Sequence, residues 1–186
     1  SIQAGLRAHG VLSIVDYPGF QDLDAPDMES YSKALNGGQY PLSVLALSDS
    51  CASAYRRGLY GNTMTSNPRA MDIGIAVLDV LNDGLRENIR ARGRELVEKL
   101  TALGDETDGA LANVQGTGLL LSCELDERYK VFGSNSTEDY LRRIGLAVIH
   151  GGTHSLRYTP VFNIGEKEVD LIVNLTRQAL LEGPTA

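Results

Sequence analysis

The stretch YSKALNGGQYPLS, residues 31–43, holds one of the chain's four lysines, and Lys33 has no other charged residue between Glu29 and Asp49. Surface lysines usually travel with other charges, so a lone cation among small and apolar residues calls for a reason. An amine shielded from water gives up its proton more readily, because the charged form loses hydration, and it then serves as a general base or a Schiff-base amine. Gly37 and Gly38, just downstream, would let the backbone approach a cofactor closely. The plainer reading is a loop lysine whose stem rests on apolar neighbours while its head reaches water. Residue type alone leaves both open.

A second constellation lies in GLYGNTMTSNPRAM, residues 58–71. Gly61, the amide of Asn62 and the hydroxyls of Thr63, Thr65 and Ser66 precede a helix start at Pro68, a combination that suits a phosphate. On these residues alone a capped helix entry with no ligand is the plainer reading. Arg157, in HSLRYTPVF, alternates with apolar residues as in a strand, where a guanidinium facing a cleft forks onto a carboxylate and one facing water does nothing. The three histidines, His9, His150 and His154, are scattered and read as loop residues without a metal partner set. Walker A, dinucleotide and Gly-x-Ser-x-Gly patterns are absent.

The elements that must position these residues follow from periodicity. VLSIVDY, 11–17, is β-rich, and the Pro18–Asp27 stretch is a loop marked by Pro18, Gly19 and Pro26. YPLSVLALS, 40–48, has the length of a strand. Asn67-Pro68 opens a helical pattern running to about Leu103, with Met71, Ile75, Leu78 and Leu81 and then Ile89, Leu96, Leu100 and Leu103 at three- to four-residue or longer steps; Gly84 and the Arg-rich stretch after it suggest two helices in series or one long one. GTGLLLSCEL, 116–125, reads as a buried strand. TEDYLRRIG, 137–145, reads as a short helix with Thr137 as its cap, the segments around Gly151-Gly152 as a hairpin, and 166–183 as an amphipathic helix.

The chain has 186 residues, a formal charge of -7 and a pI near 4.9, which argues against nucleic acid or an anionic membrane surface as the main partner. Cys51 and Cys123 form no disulfide framework or metal spacing, and no apolar run is long enough to cross a membrane, so a cytoplasmic, reducing setting is expected.

Taken together, SKALNGGQYPLS, YGNTMTSNPRAMDIGIAVLDVL, VQGTGLLLSCEL and LRYTPVF, with IQAGL ahead of them, resemble in family order the class III aminotransferases, fold type I enzymes that use pyridoxal 5'-phosphate (PLP). The nearest flavour is the ornithine aminotransferase group. The resemblance implies an α/β fold. Residues 1–66 would belong to the large PLP-binding mixed-sheet domain, 67–104 to a connecting helix region, and 105–186 to a small C-terminal domain. It implies that Lys33 forms the Schiff base with PLP. Thr63 would bond the PLP phosphate across a homodimer, with Asn62 beside it as a second donor. Gln3 would contact the cofactor ring on its 3′-oxygen side, and Arg157 would bind the α-carboxylate of glutamate or 2-oxoglutarate.

Ser66 stands in place of a common glycine, and the loop over 18–27 is longer than in typical members. The aspartate that pairs with the pyridinium nitrogen, the phosphate cup and the aromatic that stacks on the ring would come from an upstream segment. Because the chain starts at Ser1, a C-terminal piece of a longer enzyme is the expectation. The function expected is transfer of an amino group from an ornithine-like donor to 2-oxoglutarate, with acetylornithine or γ-aminobutyrate transamination as close variants. A non-catalytic fragment or regulatory relative that keeps the fold and dimer surface is the alternative.

Overall fold

The computed structural model describes residues 5–63 and 65–185, apart from the Ile14 side chain, and the chain forms two compact units, Ser1–Arg86 and Glu87–Ala186. In the first unit, helix α1 (Gly5–His9) is followed by strands β1 (Met28–Tyr31) and β2 (Val44–Leu47), helix α2 (Asp49–Ala54) and helix α3 (Pro68–Val80). β1 and β2 pair antiparallel, with Met28 opposite Leu47 and Tyr31 opposite Val44. Among the described residues the buried apolar ones here are few: Leu6, Ala8, Leu35, Ala70 and Leu81.

The β-rich stretch 11–17 does not become a strand. It makes one 3-10 turn, Ile14–Asp16, in which the Asp16 amide bonds the Ser13 carbonyl at 3.1 Å. Pro18 and Gly19 (φ 89°) then keep the chain turning, so the local bonds prevail over β propensity. Asn67 caps α3 as its sequence foretells, accepting from the Arg69 amide at 3.0 Å, with Pro68 in the first turn. The break between the two helices falls at Leu81–Asn82, ahead of Gly84: the Asn82 carboxamide accepts from the Leu85 amide at 2.9 Å and opens helix α4 (Asp83–Glu106).

In the second unit a four-stranded antiparallel sheet runs in the order β3-β4-β6-β5, with β3 Leu111–Thr117, β4 Leu120–Leu125, β5 Ile149–Gly151 and β6 Ser155–Tyr158. Strand residues alternate faces. Leu121, Cys123, Leu125, Leu156 and Tyr158 are buried, together with Ile89, Leu96, Leu100 and Leu103 of α4 and Val169, Ile172, Val173 and Leu180 of helix α6 (Glu166–Glu182). α4 approaches the β3–β4 turn so closely that a Cβ on Gly93 would lie 2.2 Å from the Gly118 carbonyl oxygen. The buried Tyr158 hydroxyl lies 3.1 Å from Thr176 Oγ1, which donates in turn to the Ile172 carbonyl at 2.8 Å.

Helix α5 (Thr137–Arg143) is capped by Ser136 rather than Thr137. The Ser136 hydroxyl accepts from the Asp139 amide at 3.2 Å and donates to the Gly133 carbonyl at 2.7 Å, which leaves Thr137 as the first helical residue.

Candidate active site

Lys33 opens a 3-10 turn, Lys33–Asn36, and its backbone is left-handed, φ 49°. For a residue with a Cβ that conformation costs about 1–2 kcal/mol, so the surroundings must hold it. The turn rests on α3 inside the first unit. Leu35 is buried, and a Cβ on Gly37 would meet Val77 Cγ2 at 3.5 Å and Ile73 Cγ2 at 3.8 Å. Gly37 (φ 58°) ends the turn, and the Asn36 carboxamide accepts from the Gly38 amide at 2.7 Å. The lysine side chain is exposed and makes no ion pair among the described residues. Between the two sequence readings, shielded amine or loop lysine reaching water, the chain by itself presents the second.

The loop ahead of α3 turns on Thr65, whose amide and hydroxyl both donate to the Asn62 carbonyl, at 3.1 and 2.6 Å. Ser66, the residue in place of a common glycine, has φ 60°, which is the physical reason glycine suits that position. Asn62 and Thr63 are exposed. A cavity of about 740 Å³ brings this loop against the segment that follows the lysine turn: Asn62, Thr65 and Ser66 line one side, and Pro41, Leu42 and Ser43 another. Neither Lys33 nor Thr63 lines it. Gln3 lies outside the described residues.

In the second unit Arg157 is half-buried on the face of the sheet opposite Leu156 and Tyr158. The pairing places it in one transverse row with Gln115, Ser122 and Ile149. Its guanidinium lies over Gly151, where an added Cβ would stand 3.3 Å from Nη2. Among the described residues it has no carboxylate partner.

His150 departs from the loop reading. It sits on β5 with Nδ1 2.8 Å from Glu138 Oε2, while Glu138 Oε1 accepts from Arg142 at 2.8 Å and Phe132 stacks on the imidazole with centroids 4.6 Å apart. No residue type pointed to this pair; only the meeting of α5 and β5 creates it. No group of three metal-ligating side chains exists among the described residues.

PLP presents an aldehyde and a phosphate. The residues here suit it in kind: an unpaired amine at Lys33, the hydroxyls of Thr63 and Ser66, and Gly61, where an added Cβ would meet nothing within 4 Å.

Residues 2–180 match the family model described as aminotransferase class-III. Acetylornithine aminotransferase of Neisseria meningitidis serogroup A is 30% identical over 168 residues, which cover 90% of this chain and 41% of that protein. Succinylornithine transaminase of Citrobacter koseri is 28% identical over 169 residues, 90% of this chain and 40% of its own length. Among solved structures, Plasmodium falciparum ornithine delta-aminotransferase superposes with a TM-score of 0.81 at 26% identity, over 96% of this chain and 44% of that one. Acetylornithine aminotransferase of Elizabethkingia anophelis gives 0.80 at 26%, over 97% and 44%. The chain thus spans less than half the length of these relatives.

Proposed function

The chain belongs to the class-III aminotransferases, and from that premise we propose that it serves PLP-dependent transfer of an amino group from an ornithine-like donor to 2-oxoglutarate. Lys33 is the amine that holds the cofactor. The observation that carries this is its strained turn, φ 49°, in the segment SKALNGG, with an amine free of ion pairs among the described residues. Two of the other three lysines are engaged: Lys99 Nζ pairs with Glu95 at 2.7 Å, and Lys130 Nζ donates to the Ser134 carbonyl at 2.8 Å. When bound, PLP supplies an electron sink for charge at the substrate carbon. Lys33, as a free amine, would move a proton between that carbon and the cofactor's C4′ carbon, in one direction with the amino donor and in the other with 2-oxoglutarate. Thr63 and Asn62 would donate to the phosphate, Gln3 would contact the cofactor ring on its 3′-oxygen side, and Arg157 would fork onto the carboxylate of 2-oxoglutarate.

Borohydride reduction in the presence of PLP, followed by peptide mapping, places the label on Lys33; a label on Lys99, Lys130 or Lys167 overturns the assignment. Arg157→Ala weakens the 2-oxoglutarate half-reaction about tenfold or more, the worth of a charge-assisted hydrogen bond, and leaves PLP attachment intact. Unchanged 2-oxoglutarate kinetics remove the arginine from the site.

The working assembly on this reading is a cytoplasmic homodimer, in which Thr63 serves the partner's cofactor and an upstream segment completes each site. A heterodimer of Lys33→Ala with Thr63→Ala then has one doubly defective site and one intact site, and regains about half of the wild-type activity. Activity that stays low in a verified heterodimer rules the shared site out.

A further inference from the structure

The left-handed backbone of Lys33 persists only if something outside the residue fixes it, and two serines stand where that hold is needed. Ser32, extended at φ -161° and ψ -157°, donates through its hydroxyl to the Leu42 carbonyl at 2.7 Å. The Ser43 hydroxyl donates to the Ser32 hydroxyl at 3.1 Å. The strand entering the lysine turn and the strand leaving it ten residues later are thereby stitched at the mouth of the loop. Its floor is fixed separately: Leu42 packs so tightly on α3 that a Cβ at Gly74 would lie 2.8 Å from Leu42 Cδ2. The carbonyl that receives the Ser32 bond thus belongs to a residue that cannot shift freely.

We infer that Ser32 and Ser43 form a hydroxyl clamp that holds Lys33 in its left-handed conformation and so sets the direction in which the amine leaves the turn. Both are positioning residues, and the inference rests on the reading of Lys33 as the amine that holds PLP. A relaxed Lys33, with φ returned to the negative region, would project its side chain along a different line from the same Cα. The clamp acts through hydroxyls alone, which separates it from packing: threonine at position 32 preserves it and alanine abolishes it.

The test uses the full chain in two measurements. The first is the three-bond HN–Hα coupling of Lys33 by NMR without cofactor, which reports φ directly. The second is the rate at which PLP becomes attached to Lys33, read as borohydride-trapped label. Ser32→Ala, which removes both bonds, is expected to move the coupling toward that of a right-handed turn and to slow attachment about tenfold, about fivefold for the Leu42 bond and about twofold for the Ser43 bond. Ser43→Ala, which removes only the second bond, is the milder variant and slows attachment about twofold. Ser32→Thr restores both readouts.

A coupling that stays at its wild-type value in Ser32→Ala overturns the clamp. So does a changed coupling with attachment unaffected, because the direction of the amine would then be immaterial. If the wild-type label falls on another lysine while the coupling still responds to Ser32→Ala, the clamp stands as a backbone device and the assignment of Lys33 fails.

Discussion

Leu96, Leu100 and Leu103 on α4 are each 0% exposed, whereas Met71, Ile75 and Leu78, with the same four-then-three spacing on α3, are 46, 57 and 42% exposed. The sequence pattern is the same; what lies opposite is not. α4 packs against strands of its own unit, as the contacts of Gly93 with Gly118 and of Gly104 with Leu111 record. The side of α3 that meets its own unit is the adjoining one, carrying Ile73, Gly74 and Val77 against the lysine turn and its exit, with Ala70 buried beside them in sequence. β2 shows the same asymmetry, with all four of its residues exposed, Val44, Leu45 and Leu47 among them. Periodicity reports that a face is apolar, and only the tertiary structure reports whether the chain itself covers it. Each such side chain, about half in water, forgoes about half of the roughly 1.5–3 kcal/mol that full burial brings.

Four measurements break or sharpen this contrast. The largest effect is on thiol reactivity. Cys123 in β4 is fully buried, and burial pushes its thiol up to about 12, whereas Cys51 in α2 is only half-buried. A soluble thiol reagent should modify Cys51 first and Cys123 slower by about three orders of magnitude or more, if opening the second unit costs about 4 kcal/mol. Equal rates would show that the second unit is no better closed than the first.

Next, Leu96→Ala should lower the unfolding free energy of the second unit by about 2–5 kcal/mol, read from the denaturant midpoint. A cost below about 1 kcal/mol would mean that the α4 interface is loose. Gly93→Ala comes third. Although alanine favours helix, its Cβ would strike the Gly118 backbone, so a net loss of about 1–3 kcal/mol is expected; a gain in stability would contradict the close approach. The smallest effect belongs to Ile75→Ser, at most about 0.5 kcal/mol in the isolated chain because the side chain is already in water. A large loss there would show that α3 is covered after all.

Much of the architecture was legible from local signals. Asn67-Pro68 marks the start of α3, two helices follow in series, Gly151-Gly152 turns a hairpin, and α6 spans its predicted stretch almost to the residue. Each rests on chemistry complete within a few neighbouring residues: a cap, a fixed φ, a repeat of 3.6. What failed depended on partners elsewhere. The stretch 11–17 has strand-forming residues but no pairing partner among the described residues, and β1 (Met28–Tyr31) forms because Val44–Leu47 lies beside it. The candidate site divides the same way. Lys33 and Arg157 stood out by residue type in an unusual context, while the sign of φ at Lys33, the hydroxyls that brace it and the Glu138–His150 pair depend on contacts 10 to 12 residues away. Spacing in one dimension does not encode such contacts.

The hydroxyl pair between Tyr158 and Thr176 has a consequence for how the chain finds its pairing. Because neighbouring strand residues face opposite ways, a slip of β6 by one position would turn Arg157 into the apolar layer and Tyr158 out to the open face. The slipped form would bury a charge without a partner and break the bond between the Tyr158 and Thr176 hydroxyls, two penalties incurred together. Tyr158 therefore works as a proofreading contact: by making the wrong register doubly unfavourable, it favours the outward orientation of the arginine next to it from the opposite face of the sheet.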